Sequence, residues 1–261
     1  VAHLGLTGPD VRGRIGAVVL AAGGGTRYGS PKQFATLDGV RLVDRAVALV
    51  DEVAAVVVVV LPFGHRWTGP PVDAAVAGGA TRAASMRAGL AALDAVADDI
   101  TTVIVHDAIR PLADRALLAR LLAALDPGGP GGPGGPGGPG ADGAVPVWAL
   151  PDTLKRRRPD GTLEHVGREG YVVAQSPAVF CAELLRRAYR TGPDGTDPVD
   201  DGLAVEAVGG RVVAVDGDPW SHHVVTPSDL ANARALVAVG RMSHGGTDGT
   251  AGTVARPLDP A

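Results

Sequence analysis

The sequence predicts a single α/β domain built on a mostly parallel sheet, and three observations predict it. Apolar runs rich in β-branched residues recur at 15–20 (IGAVVL), 55–61 (AVVVVVL) and 102–106 (TVIVH), and runs of this kind suit strands buried on both faces. Helix-like stretches at 40–51 and 81–97 separate them, the spacing of crossover units between parallel strands. Of 261 residues 46% are hydrophobic but only 3% aromatic, so the core must be built from Val, Leu and Ala, in a chain long enough to bury it.

In chain order, residues 1–13 and the tail 241–261 carry no apolar periodicity and are expected to be disordered, leaving a domain over 14–240. The first strand, 15–20, runs into a glycine cluster; the helix at 40–51, the strand at 55–61, the helix at 81–97 and the strand at 102–106 follow. A helix is expected at 114–125, then strands near 143–148, 171–175 and 211–215, with helices near 181–190 and 228–239. Between helix and strand, 126–142 reads DPGGPGGPGGPGGPGAD. A collagen helix needs many more triplets and three chains, so this insert is expected to be a solvated surface loop.

A net charge of −4 offers no global reason to bind nucleic acid or an anionic membrane, so any phosphate partner should be small. Cys181 is the only cysteine, which excludes an internal disulfide and a cysteine-rich zinc site and fits a reducing compartment. The N-terminal stretch lacks an apolar signal core, and the apolar runs are far shorter than a membrane span; a cytoplasmic protein is expected.

The stretch AAGGGTRYGSPKQF at 21–34 places glycines behind a strand, where backbone N–H groups can turn toward an anion. Two familiar versions fail on register. Gly24 and Gly29 have P-loop spacing, but Ser30 and Pro31 follow; Gly23 and Gly25 could open a dinucleotide fingerprint, but Tyr28 takes the third glycine's place. What remains is a short loop with two cations, Arg27 and Lys32, suited to a triphosphate whose charge grows on the leaving pyrophosphate. Read alone, it also fits a strand-to-helix turn with solvated charges.

LAAGGGTRYGSPKQF resembles the nucleotide loop of the sugar-alcohol-phosphate cytidylyltransferases, Ala-Ala-Gly-x-Gly-x-Arg ending in Pro-Lys-Gln, and above all the 2-C-methyl-D-erythritol 4-phosphate cytidylyltransferase family. Further blocks follow in order: GGATRAASMRAGL at 78–90, VIVHDAIRP at 103–111, PDTLKRR at 151–157, AQSPAVF at 174–180, VDDGLAVE from 199 and SHHVVTPSDL at 221–230. The resemblance implies a Rossmann-like fold with a β-arm, about 148–172, that pairs two subunits. It implies that Arg27 and Lys32 act on the phosphates, that Ala21, Ala22, Gly23, Gly25, Gly79 and Ser85 hold the nucleotide, and that Asp107 serves Mg²⁺ and the polyol. Arg110, Thr153, Arg168 and Ser176 are implied on the polyol phosphate, with CTP as co-substrate. His106 and Glu206 are read as structural.

The chain departs from the family pattern at identifiable places: Gly167 for Asp, Ser176 for Thr, Ala178 for Gln, Ser221 for Asn and His223 for a lysine at the phosphates. Histidine, with an ordinary pKa near ~6.5, is mostly neutral at pH 7, though phosphates favour its protonated form. These changes leave two further readings: the same chemistry on another polyol phosphate such as ribitol 5-phosphate, and a nucleotide-binding paralogue with little catalysis.

Overall fold

The computed structural model describes residues 14–25, 28–126, 140–190 and 197–240. Both termini, the Gly/Pro triplets at 127–139 and Arg27 lie outside the described residues. In chain order the elements are β1 (Arg14–Leu20), a 3-10 turn (Lys32–Phe34), β2 (Thr36–Leu37), β3 (Val40–Arg41), α1 (Leu42–Asp51), β4 (Val56–Leu61), β5 (Ala74–Ala77) and α2 (Arg82–Val96). Then come β6 (Ile100–Asp107), α3 (Arg115–Leu125), β7 (Gly143–Ala149), β8 (Lys155–Arg157), β9 (Leu163–His165) and β10 (Val172–Ala174). The chain continues through β11 (Ala178–Cys181), α4 (Ala182–Arg190), α5 (Asp201–Ala207), β12 (Val212–Asp216) and α6 (Pro227–Ala238).

The expected strands and helices are present; beside them stand the β2–β3 hairpin, β5, β11 and α5, and β8 and β9 fall within 148–172. The helix expected from residue 40 begins at Leu42, because Val40 and Arg41 pair back onto Thr36 and Leu37 around Asp38 and Gly39, at φ 51° and 76°. β5 is built of small residues at the sheet's edge, and β11 is four residues long and runs straight into α4.

β1 lies between β4 and β6, all parallel, with Val18 beside Val58 and Val105; β5 continues the parallel set beyond β4. β11 is antiparallel to both β6 and β7, so β7 returns to the direction of β6, and β12 follows it in parallel. β10 and β11 pair with one side of β7 as a single interrupted strand: Ala174 faces Val147 and Val179 faces Ala144, a two-residue slip taken up at 175–177. One reversed strand in a parallel sheet is a common device in α/β folds.

Alternate side chains enter opposite cores. Ala17, Val19, Val57, Val59 and Ile104 pack under α1 and α3. Val18, Val58, Val60, Val103 and Val105 meet Met86, Leu90 and Leu93 of α2 and Leu185 of α4. β4, VVVVVL, is buried throughout, and each such Val or Leu contributes roughly 1.5–3 kcal/mol by leaving water. A third cluster, Leu37, Leu42, Leu112, Val224, Leu230 and Ala233, seats α6 against the β2–β3 hairpin. Parallel strands end on one side, so the segments after β1, β5 and β6 converge on a crevice at their carboxyl ends, where such sheets bind ligands.

Candidate active site

A cleft of ≈ 330 Å³ opens there, within the range of small-molecule sites. It is lined by 21–24 after β1, Lys32 and Gln33 of the 3-10 turn, 79–82 and Ser85 at the start of α2, Asp107 at the end of β6, and His223 from the loop before α6.

The glycine loop leaves β1 with Ala21 N–H donating to Val60 O at 2.8 Å and turns at Gly25, whose carbonyl accepts from Tyr28 N and Gly29 N, each at 2.9 Å. Gly25 sits at φ +68°, and a Cβ there would lie 1.8 Å from Ser30 O, so the turn itself requires glycine. Gly23 and Gly24 differ. A Cβ on either would meet nothing within 4 Å; the bare backbone there leaves room for a ligand rather than for the protein. Gln33 Nε2 donates to Ala21 O (2.6 Å) and Gly23 O (3.0 Å).

The second loop is held by its own hydroxyls. Thr81 caps α2, its Oγ1 accepting from Ala84 N at 3.0 Å. Ser85 Oγ donates to Thr81 O (3.0 Å) and accepts from Gly79 N (3.2 Å), which leaves one lone pair of the hydroxyl for a ligand donor. A Cβ on Gly78 would lie 2.4 Å from Ala22 Cβ and 2.7 Å from Ser85 Oγ, which brings this loop hard against the first.

Arg82 makes a two-pronged pair with the buried Asp201 (3.0 and 2.7 Å), and its Nη2 lies 3.7 Å from Asp107 Oδ1. Burial alone would lower the Arg82 pKa; the bonds and charge of Asp201, with Asp107 behind, raise it instead. Tyr189 donates to Asp201 Oδ1, the oxygen that also accepts from Arg82 Nη1, and has its own pKa raised by burial and by that carboxylate.

A second cavity of ≈ 140 Å³ shares Arg82 and Asp107 with the cleft and adds Arg110, Ser176, Ala178 and Asp201. Arg110 donates from Nη1 to Ser221 O (2.6 Å) and from Nη2 to Ala174 O (3.1 Å). Its Nε is buried with no hydrogen-bond partner among the described residues, and burial lowers its pKa against the opposing pull of Asp107. By gripping Ser221, Arg110 also holds the loop carrying His223, which Val224 pins from the other side through its buried side chain and its N–H bond to Ile109 O (2.8 Å). Ser176 Oγ accepts from Asp107 N at 3.1 Å.

Of the residues expected from sequence, Ala21, Ala22, Gly23, Lys32, Gly79, Ser85, Asp107 and His223 share the cleft, and Arg110 and Ser176 lie next door. Gly25 shapes the loop without lining the cleft. Thr153 and Arg168 are exposed at the β8–β9 hairpin, apart from both cavities, with Arg168 Nη1 donating to Pro151 O. The sequence reading left out Gln33, Arg82 and Asp201. Each stands inside a quoted block, but burial and pairing, not motif letters, reveal them.

No cluster of three or more His, Cys, Asp or Glu able to hold a metal occurs among the described residues. A single cleft carboxylate, Asp107, nevertheless fits Mg²⁺, which is commonly held by one or two carboxylates plus substrate phosphates.

The family model described as "IspD: 2-C-methyl-D-erythritol 4-phosphate cytidylyltransferase" matches residues 15–239. The chain belongs to that family. The 2-C-methyl-D-erythritol 4-phosphate cytidylyltransferase of Rhodococcus opacus is 39% identical over 238 residues, 88% of this chain and 97% of the relative. The same-named protein of Chromobacterium violaceum is also 39% identical, over 85% of this chain and 97% of its own. Among solved structures, that of the Thermus thermophilus cytidylyltransferase superposes with a TM-score of 0.69 at 32% identity, covering 85% of this chain and 98% of that one. The α/β nucleotidyltransferase fold of the family is thus the fold seen here.

Proposed function

We propose that this protein joins CTP to 2-C-methyl-D-erythritol 4-phosphate, giving 4-diphosphocytidyl-2-C-methyl-D-erythritol and pyrophosphate, as a cytoplasmic enzyme of non-mevalonate isoprenoid precursor synthesis. The observation that carries this reading is the gathering of an open glycine backbone, Lys32, Ser85, Asp107 and His223 in one cleft; the names of relatives 39% identical support it.

A substrate phosphate oxygen forms a bond to the α-phosphorus of CTP, and the bond from that phosphorus to the bridging oxygen breaks, releasing pyrophosphate. A phosphate monoester is already anionic near pH 7, so positioning and charge neutralisation supply most of the rate. Lys32, with Arg27, neutralises the triphosphate; the loop N–H groups at 22–25 hold it. Ser85, Gly79 and the backbone of Ala21 and Ala22 read the cytosine. Asp107 would hold Mg²⁺, which when bound offsets charge on the phosphates. The second cavity takes the polyol, with Arg110, Ser176 and Asp107 among its polar lining. Thr153 and Arg168 reach the substrate phosphate from a second copy of the chain, paired through the arm about a two-fold axis.

Ala178, where the family carries glutamine, lines that second cavity and favours a second reading, the same transfer to a different polyol phosphate. Pyrophosphate release with CTP and Mg²⁺ is therefore measured with 2-C-methyl-D-erythritol 4-phosphate beside ribitol 5-phosphate. Release with the first is expected. Release with ribitol 5-phosphate alone would move the assignment, and CTP binding without release from either would mark a non-catalytic paralogue.

A further inference from the structure

We propose that Gln33 is a positioning residue that couples the shape of the phosphate-facing loop to the placement of Lys32, an inference that rests on the nucleotide reading of the cleft. Its side chain is 1% exposed, yet it is polar and lies against the cleft wall. Its amide nitrogen donates to two carbonyls of the loop, Ala21 O and Gly23 O. Among the described residues, the loop's backbone hydrogen bonds lie at its ends, from Ala21 N to Val60 O and from Tyr28 N and Gly29 N to Gly25 O. Between those ends the Gln33 amide is the brace.

The two carbonyls stand two residues apart. A trans peptide points its N–H opposite to its C=O, so holding the carbonyls of 21 and 23 on Gln33 turns the N–H groups of Ala22 and Gly24, both residues of the cleft lining, away from Gln33. A side-chain amide suits this: its nitrogen carries two donors, whereas an ionised carboxylate carries none.

Gln33 also sits in the same three-residue turn as Lys32. That turn is closed by Phe34 N–H to Pro31 O (3.2 Å) and Ala35 N–H to Lys32 O (2.9 Å). From outside, the Phe34 ring stacks on His65, centroids 5.3 Å apart at 12°. The backbone of Lys32 therefore has little freedom relative to Gln33, and Gln33 is bonded to the loop. One buried amide sets the distance between the loop's N–H groups and the lysine that face the same phosphates.

The test is a double-mutant cycle on the full chain, with CTP·Mg²⁺ binding by calorimetry, pyrophosphate release, and thermal unfolding as the check on folding. Gln33→Met keeps an unbranched side chain of similar length and removes both donors. It is expected to unfold cooperatively, to bind CTP more weakly and to lower turnover by about 10-fold to 100-fold, the scale of an ångström misplacement. In a Lys32→Ala background the same substitution is expected to cost less than about 3-fold, because the group it misplaces is gone. A purely structural role would lower both backgrounds equally, so additive losses overturn the proposal, as does a Gln33→Met protein with normal affinity and turnover. Should Gln33→Met not fold, the cycle is run with Gln33→His, which keeps a donor, and the same non-additivity is required. A wild-type chain that binds no CTP overturns the nucleotide reading and this inference with it; wild-type binding with additive losses overturns this inference alone.

Discussion

His106 is wholly buried one residue before Asp107, with Nδ1 3.2 Å from Ser176 Oγ and Nε2 lacking a hydrogen-bond partner among the described residues. Burial pushes its pKa from 6.5 down to about 4, with Asp107 pulling up and Arg110 pushing further down. The unfolded chain thus takes up this proton near the ordinary value, while the folded chain resists until near the lower one. The stability contributed by the neutral ring is full above the ordinary value and is lost as pH falls through that window, at up to about 1.4 kcal/mol per pH unit. Urea unfolding midpoints followed from pH 7 to pH 4.5 should fall further for the wild type than for His106→Gln, and parallel losses would argue against this source. For His223, in the cleft, the pH effect to test is on rate and has the opposite sense. If its protonated form stands in for lysine, turnover rises as pH drops toward ~6, and His223→Lys abolishes the dependence. A flat wild-type profile with no gain from His223→Lys would remove charge from its role. The motif letters were enough to point to His223, Lys32 and Asp107; they said nothing of Gln33, whose part depends on which carbonyls its amide reaches.

α2 crosses the sheet at unusually close range because Gly89 faces it. A Cβ there would lie 2.5 Å from Val18 Cγ1 and 3.0 Å from Val60 Cγ2. Alanine is the better helix former by roughly 0.5–1 kcal/mol, yet overpacking against stiff valines costs about 1–3 kcal/mol. Gly89→Ala is therefore expected to destabilise by roughly 1 kcal/mol, read as a lower denaturation midpoint. A gain in stability would mean that the helix slides outward freely. The element that begins at Thr81 and carries Ser85 would then be less firmly placed than the packing indicates. β4 was legible because five consecutive valines and a leucine leave no polar face. β5, Ala74–Ala77, was not, since alanine carries little strand preference and only its pairing with β4 makes it a strand. The hairpin ahead of α1 was hidden for a similar reason: two-residue strands have no period to read.

For the whole molecule, the separation of Thr153 and Arg168 from the cleft is the fact to explain. The β8–β9 hairpin pairs with itself rather than with the main sheet, and it exposes Leu163 beside Lys155, Arg156 and Arg157. If two copies exchange arms, a Lys32→Ala chain and an Arg168→Ala chain are each inactive alone but complement when mixed. One site in the hybrid pairs an intact cleft with an intact arm, so about a quarter of wild-type activity per chain should return. No recovery on mixing, under conditions where subunits exchange, would assign Arg168 to its own chain or to no site. Among the described residues no helix is long and apolar enough to cross a membrane.

By itself the sequence determined the α/β class, the order of the long strands and helices, the family and most of the cleft. Val-rich runs, glycines and paired cations carry that information locally, within a few residues of where it is used. Only the tertiary structure decided that β10 and β11 form one interrupted strand along β7. It alone gave Gly25 to the turn and left Gly23 and Gly24 open. It also set Arg82 between Asp107 and Asp201, and gave Arg110 two backbone carbonyls from distant segments, the end of β10 and the loop before α6. The physical reason is separation along the chain. Arg110 meets Ser221 and Arg82 meets Asp201 across more than a hundred residues, and hydrogen bonds of that kind exist only once burial has removed water as the competing partner.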